Sequence, residues 1–348
     1  MHCSGRACET GPAEAKPQVK VNIRSMSQGR VIVLGASGFV GARLVKRLQS
    51  QGYDDIQAID LEPPSVRLPG VTYHTHDVRD PIPTGFGDDC SVLYNFAAIH
   101  RTPGHPDHEY YDTNVAGALN AIALADQCNI PTIVFSSSIS VYGPSEQILL
   151  ETSPLRPISS YGRSKWLAEQ VHRRWAIDRQ GRRLVIVRPG VIFGPGEGGN
   201  FTQLAKALRG GYFIYPGRRD TIKSGGYVDE LLETLEFALA RQDTLILYNF
   251  AYPDQSSIEQ IVRTFAEVAG YGAERLTMPL PVLLVAARLI GLAKILGFES
   301  WIHPDRVLKL FQSTRVAPGW LQAAGYKFKT DMKSALTLWR DETDGCFD

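Results

Sequence analysis

The stretch RVIVLGASGFVG, residues 30–41, joins an apolar run to a glycine-punctuated turn, and an amphipathic pattern continues from it to about residue 51. Residues 30–34 show no alternation of apolar and polar side chains beyond Arg30, the mark of a strand buried on both faces. Gly35, Gly38 and Gly41 are spaced by three and sit where that strand gives way to a helix of about 38–51. Glycines there let the backbone approach a pyrophosphate, which unpaired amides and the positive end of the helix dipole then hold. The segment predicts a strand–turn–helix that binds a dinucleotide.

Further strands follow at regular intervals: IQAID (56–60), VTYHTHD (71–77), SVLYNFAA (91–98), PTIVFSSS (131–138) and RLVIVRPG (183–190). Helical stretches at 107–129 and 159–180 separate the later ones. Continuous apolar strands alternating with helices predict an α/β fold, a doubly wound parallel sheet of the Rossmann type. After Pro189 the rhythm breaks into a helix at 200–210, an irregular stretch 211–226, helices 229–241 and 255–269, and an apolar segment 279–297. Strand 244–250 is expected to return to the sheet. The chain then divides into a disordered leader (1–29), a dinucleotide-binding domain (30–190), a smaller, mostly helical and interleaved substrate region (191–340, with 226–250 returning to the sheet) and a tail (341–348).

Composition narrows the possibilities. The 348 residues carry 37 Lys and Arg against 36 Asp and Glu, a net charge of +1, so the chain has no bulk field for nucleic acid. Arg288 and Lys294 interrupt the apolar segment 279–297, which argues for a helix of the substrate region over a membrane span. Five cysteines without paired spacing predict a reduced, cytoplasmic protein, and His100, His105 and His108 lie in one loop without the partners that a metal site needs.

Asp60 ends the second predicted strand, 19 residues after Gly41. A carboxylate there accepts the ribose hydroxyls of NAD and repels the 2′-phosphate of NADP. Asp77 closes the third strand in the same layer, as a candidate adenine contact. Tyr161 and Lys165 stand at i and i+4, on one helix face. A neighbouring ammonium and a cationic nicotinamide both favour phenolate, drawing the tyrosine towards service as a base at neutral pH.

The glycine spacing, Ser136-Ser137-Ser138-Ile139-Ser140-Val141-Tyr142-Gly143 and Tyr161-Gly162-Arg163-Ser164-Lys165 together resemble the extended short-chain dehydrogenase/reductase family, in its NAD-dependent nucleotide-sugar epimerase/dehydratase branch. The likeness spans about 30–340. It implies NAD as cofactor, Ser138, Tyr161 and Lys165 as catalytic residues, and Ser138 over Ser136 or Ser137 because it lies three before Val141. It also implies cofactor contacts from Ser37, Phe39, Val40, Val78, Phe96, Ala97, Ala98, Asn114 and Gly190.

Departures from the family pattern carry information. Dehydratases of this branch place an Asp-Glu pair where this chain has Ile139 and Ser140, which cannot perform that proton chemistry. An epimerase acting on a UDP-hexose or UDP-N-acetylhexosamine is therefore expected. Asn200 matches a diphosphate-binding position, Lys223 replaces an expected arginine, Arg218 and Arg219 are nearby cations, and Val191 replaces an expected asparagine. A 3β-hydroxysteroid dehydrogenase, a nucleotide-sugar 4-ketoreductase and a non-catalytic NAD(H) sensor are the alternatives. The resemblance also implies a homodimer through helices 107–129 and 159–180.

Overall fold

A computed structural model describes residues 29–102, 104–272, 276–293 and 304–348, with side chains left undescribed at 287–293 and 304–307. The expected leader, apart from Gly29, and the end of the apolar segment at 294–297 lie outside the described residues. The first half runs β1 (Arg30–Leu34), α1 (Phe39–Ser50), β2 (Ile56–Asp60), β3 (Val71–Thr75), β4 (Cys90–Asn95), α2 (Asp107–Asn114), α3 (Ala116–Gln127), β5 (Thr132–Ser136), β6 (Ser145–Leu149), α4 (Ser160–Asp178) and β7 (Arg183–Pro189). The second half runs β8 (Val191–Phe193), α5 (Asn200–Arg209), β9 (Tyr215–Pro216), β10 (Gly225–Tyr227), α6 (Val228–Leu239), β11 (Leu245–Phe250), α7 (Ile258–Ala269), β12 (Thr277–Met278), α8 (Leu280–Ala293), α9 (Pro304–Phe311), β13 (Thr314–Val316), α10 (Gly319–Ala323) and α11 (Met332–Glu342).

Among the described residues, seven strands form one parallel sheet in the order β11-β7-β5-β4-β1-β2-β3. The order reverses between β1 and β4, opening a crevice at their C-terminal ends, where ligands of such sheets bind. Helices cover both faces. On one, Leu44, Val45 and Leu48 of α1 and Leu231, Leu232 and Leu235 of α6 pack against alternate strand residues. On the other, Ala118, Ala121 and Leu124 of α3 join Ala168 and Trp175 of α4. A third core, with Phe193, Phe201, Phe265 and Trp339, belongs to the later elements.

Strand β11 joins the sheet beside β7, paired from Leu245↔Leu184 to Phe250↔Pro189, as the pattern 244–250 anticipates. The long helix expected at 107–129 is instead two, interrupted at Val115, next to Asn114, whose buried amide is bonded to the loop after β4 and to α4. The segment 341–348 is docked: Phe347 is fully buried against Phe265 and Trp339.

Candidate active site

The first wall of the crevice is the turn after β1. Gly41 lies under this turn, and a Cβ on it would stand 2.0 Å from the Gly35 carbonyl oxygen, so only glycine lets α1 pack this close. Gly38 opens α1 with extended backbone and no side-chain cap, and the first turn carries no acidic residue. These features fit an anionic diphosphate at the positive helix end. Asp60 at the end of β2 accepts the Ser37 N–H at 2.8 Å through Oδ2 and the Glu62 N–H at 3.2 Å through Oδ1. Ser37 Oγ donates to the Glu62 carbonyl at 2.7 Å.

The other expected cofactor residues ring the same crevice in different ways. Phe96, Ala97 and Ala98 follow β4 and are partly exposed, with the Phe96 N–H donating to the Leu34 carbonyl at 3.0 Å. Phe39 and Val40 form the first turn of α1. Val78 is buried, its carbonyl accepting from Asn120 Nδ2 at 2.8 Å. Asp77 is bonded by the Arg79 guanidinium at 2.8 Å, which holds its carboxyl below the usual range. Asn114 is committed inside the protein: its Oδ1 accepts the Ile99 N–H at 2.9 Å, and its Nδ2 donates to the Ile99 carbonyl and to Ser164 Oγ. It fastens the loop after β4 to α4. Gly190 follows β7 and donates its N–H to the Phe250 carbonyl at 2.8 Å.

The second wall holds the candidate catalytic residues. Ser138 is buried and opens a 3-10 turn at Ile139–Val141, its Oγ accepting the Ser140 N–H at 3.1 Å. Tyr161 lies in the first turn of α4, where Ser159 caps the helix by accepting the Gly162 N–H at 3.1 Å. Gly162 is a requirement that motif reading passes over: a Cβ there would stand 2.4 Å from the Ser140 carbonyl oxygen. This close approach sets the start of α4, with Tyr161, against the Ser138 turn. Burial pushes the Tyr161 phenol up, and the neighbouring Ser138 hydroxyl works against the rise.

Lys165, one turn along, is buried with its ammonium 4.6 Å from the Phe135 ring centroid. Burial pushes it down to about 7, opposed by the carboxylate of Glu169. His172, nearly two turns beyond Lys165 on α4, stacks on Phe135 at 4.1 Å, and burial pushes it down to about 4.

Glu169 and Arg188 form a pair that the motifs do not announce. Both are buried, and the guanidinium grips the carboxylate with two bonds of 2.8 and 2.6 Å. Ser137 Oγ donates a third at 2.5 Å. Arg188 also donates to the Tyr142 hydroxyl at 2.7 Å, which donates to Asn249 Oδ1 at 2.8 Å. The available signal was spacing, since Tyr161, Lys165 and Glu169 recur every four residues along one helix face.

The candidate substrate residues are less convergent. Asn200 is exposed at the start of α5. Lys223 donates to the Gln312 carbonyl at 2.6 Å and to that of Lys309, closing the C-terminal end of α9. Arg219 Nε donates to Thr277 Oγ1 at 2.7 Å and its guanidinium lies over Tyr215. Arg218 pairs with Glu146 and Asp220. A cleft of about 200 Å³ lies between Pro144, Ser145 and Glu146, just after the Ser138 turn, and Phe311, Gln312 and Ser313. Val191 begins β8, which pairs with β10.

Comparison with known proteins adds independent findings. A model of the NAD dependent epimerase/dehydratase family matches residues 31–250. The N-acetyl-alpha-D-glucosaminyl-diphospho-ditrans,octacis-undecaprenol 4-epimerase of Escherichia coli O157:H7 is 31% identical over 302 residues, 85% of this chain and 89% of its own length. The UDP-glucose 4-epimerase of Azospirillum brasilense is 27% identical over 271 residues, 69% of this chain and 78% of its own. The solved UDP-glucose 4-epimerase of Thermotoga maritima, with UDP-glucose, superposes with a TM-score of 0.71 over 92% of this chain and all of that one, at 17% identity, a likeness of fold.

Proposed function

The chain belongs to the NAD-dependent epimerase/dehydratase family, and on that premise we propose that it inverts the hydroxyl-bearing C4 of a hexose or N-acetylhexosamine carried on a nucleoside diphosphate, with UDP as the carrier. The observation that carries this reading is Tyr161 next to Ser138 and one helical turn before Lys165 on α4, with Ile139 and Ser140 in place of acidic side chains. Elimination of water needs a proton donor and acceptor there; reversible oxidation of an alcohol does not.

The Gly35–Gly41 turn, Asp60 and the Phe96–Ala98 segment would hold NAD, which would supply a hydride acceptor able to return the hydride. Tyr161 Oη takes the proton from the sugar hydroxyl and later gives it back. Ser138 Oγ holds the same oxygen and stabilises charge developing on it. Lys165, as ammonium, favours the Tyr161 phenolate and steadies the ribose beside it. Asp60 selects NAD by repelling a 2′-phosphate. A hydride returned to the opposite face of the ketone gives the epimer, so turnover consumes no reductant.

A second carrier, a polyprenyl diphosphate, is supported by a specific observation. Leu276, Val282 and Val285, on and just before α8, stand exposed, and Leu280 of α8 approaches Gly217 in the loop that carries Arg218 and Arg219. The Escherichia coli relative is named for such a lipid-linked sugar. No helix among the described residues is long and apolar enough to cross a membrane. We also propose a homodimer through α3 and α4, where Leu119, Trp166 and Leu167 are exposed, and a cytoplasmic site of action.

The test is incubation of the NAD-loaded protein with UDP-glucose, UDP-N-acetylglucosamine and a short-chain polyprenyl-diphospho-N-acetylglucosamine, followed by proton NMR. Formation of the galacto epimer without added reductant supports the reading, and the carrier that turns over identifies the substrate. No epimer from any of them overturns it.

A further inference from the structure

A buried polar cluster lies directly behind the Ser138 turn, outside the groups assigned to hydride transfer. Its centre is Glu169, one helical turn beyond Lys165 on the same face of α4. Both carboxylate oxygens are occupied, Oε1 by Ser137 Oγ and Arg188 Nε and Oε2 by the other arm of the Arg188 fork. The remaining arm of Arg188 reaches the Tyr142 hydroxyl at 2.7 Å. Ser137 and Tyr142 are the two ends of the segment that contains Ser138. One ion pair thus ties both ends of the serine turn to the helix that carries Tyr161 and Lys165.

We propose that Glu169, held by Arg188 and Ser137, is a positioning residue that fixes the Ser138 turn against the helix that carries Tyr161 and Lys165. The inference rests on the hydride-transfer reading of Ser138, Tyr161 and Lys165.

The serine turn meets α4 at two places. At the start of the helix Gly162 lies close under the Ser140 carbonyl. Two turns further along, the guanidinium fork and the Ser137 hydroxyl fix the Glu169 carboxylate through three bonds. Lys165 lies between these two points on the same helix face, and the Glu169 carboxylate opposes loss of its proton.

Without Glu169 the Arg188 fork and the Ser137 hydroxyl lose their common partner, and the Ser138 turn is no longer held to α4 at both ends. Ser138 is then less well placed for the oxygen that Tyr161 serves. A role confined to packing would lower stability without a cost in turnover that depends on Ser138.

The experiment measures kcat and KM of the NAD-loaded full chain for Glu169→Gln, Ser138→Ala and the double mutant in the epimerase assay. In Glu169→Gln kcat is expected to fall at least about tenfold with KM little changed, and Glu169→Asp to recover part of the loss. In the Ser138→Ala background the same substitution is expected to cost little more, because the group it positions is already gone. If Glu169→Gln fails to fold, Glu169→Gln with Arg188→Gln leaves no orphan charge and must show the same dependence on Ser138. A loss of equal size with and without Ser138, or an unchanged kcat, overturns the proposal. Absence of any epimerisation by the native protein overturns the proposed function instead, and hydrogen exchange at the Ser140 and Tyr142 amides, expected to be faster in Glu169→Gln, still reads the anchoring of the turn.

Discussion

The carboxylate of Asp60 accepts the backbone N–H of Ser37 at 2.8 Å, so the residue expected to select the cofactor also braces the turn that holds it. A ribose diol and the Ser37 amide are both donors, and an ionised carboxylate has lone pairs for each. Asp60→Ala is expected to weaken NADH binding at least about tenfold, the loss of one to two charge-assisted bonds, while NADPH binding rises relative to it. Fluorescence titration with the two reduced cofactors reads the ratio; unchanged preference for NADH would show that selection lies elsewhere.

Gly41 gives a second prediction. Its substitution by alanine places a methyl group 2.0 Å from the Gly35 oxygen, which is backbone and cannot swing aside. Helix α1 must move away from β1, taking the first-turn amides with it. The expected cost is about 1–3 kcal/mol or more of stability, read as a lower urea midpoint, with NAD affinity lost in the fraction that remains folded. Gly38→Ala meets only one contact at 3.4 Å and tests the cradle with less disturbance of packing.

Tyr161→Phe keeps the ring and removes the one group assigned to proton transfer. Turnover is expected to fall by about 10²–10⁴, with NAD binding and thermal stability nearly unchanged. Ser138→Ala is expected to cost about 10²–10³ in kcat, because Ser138 both stabilises the reacting oxygen and neighbours the Tyr161 phenol. Rates for the two variants and their double mutant separate these roles: if they act as a unit, the double mutant loses little more than Tyr161→Phe alone.

What was legible in the sequence follows the range of the interactions. The sheet, the glycine turn and the Tyr161–Lys165 face are written in contiguous segments, where continuous apolar runs, the four-residue helical repeat and fixed glycine spacing carry the signal. Gly162 and Arg188 are not legible in that way. Gly162 matters because the Ser140 carbonyl comes from a different segment, and Arg188 because its partner is 19 residues away in sequence. Asn114, expected as a cofactor contact, also bonds Ile99 and Ser164 through its amide, an anchoring that no local pattern announces. Lys223, read as a phosphate ligand from its position, closes the end of α9, a segment that no local pattern connects to it.

His172 sets an acid limit on stability. It is fully buried, with Nδ1 donating to the Ala168 carbonyl at 2.7 Å and Nε2 accepting from Asn95 Nδ2 at 3.3 Å, so the ring is held neutral with both nitrogens used. Burial pushes it down to about 4, from an ordinary value of 6.5. A histidine lowered by folding takes up its proton in the unfolded chain first. Its contribution is therefore complete above about pH 6.5 and is lost progressively as pH falls towards 4, below which it is gone. The full loss is about 3 kcal/mol at roughly 1.4 kcal/mol for each pH unit. Urea midpoints between pH 7.5 and 4 are expected to fall more steeply for the native chain than for His172→Gln, which starts less stable because it loses the stack on Phe135 but has no proton to gain. Parallel slopes for the two would place the acid sensitivity in other groups. Since Phe135 also lies under the Lys165 ammonium, protonation of His172 in the folded chain, near pH 4, puts a second cation on the same ring only where its stabilising contribution is already lost, so acid is expected to act on stability before it acts on the site.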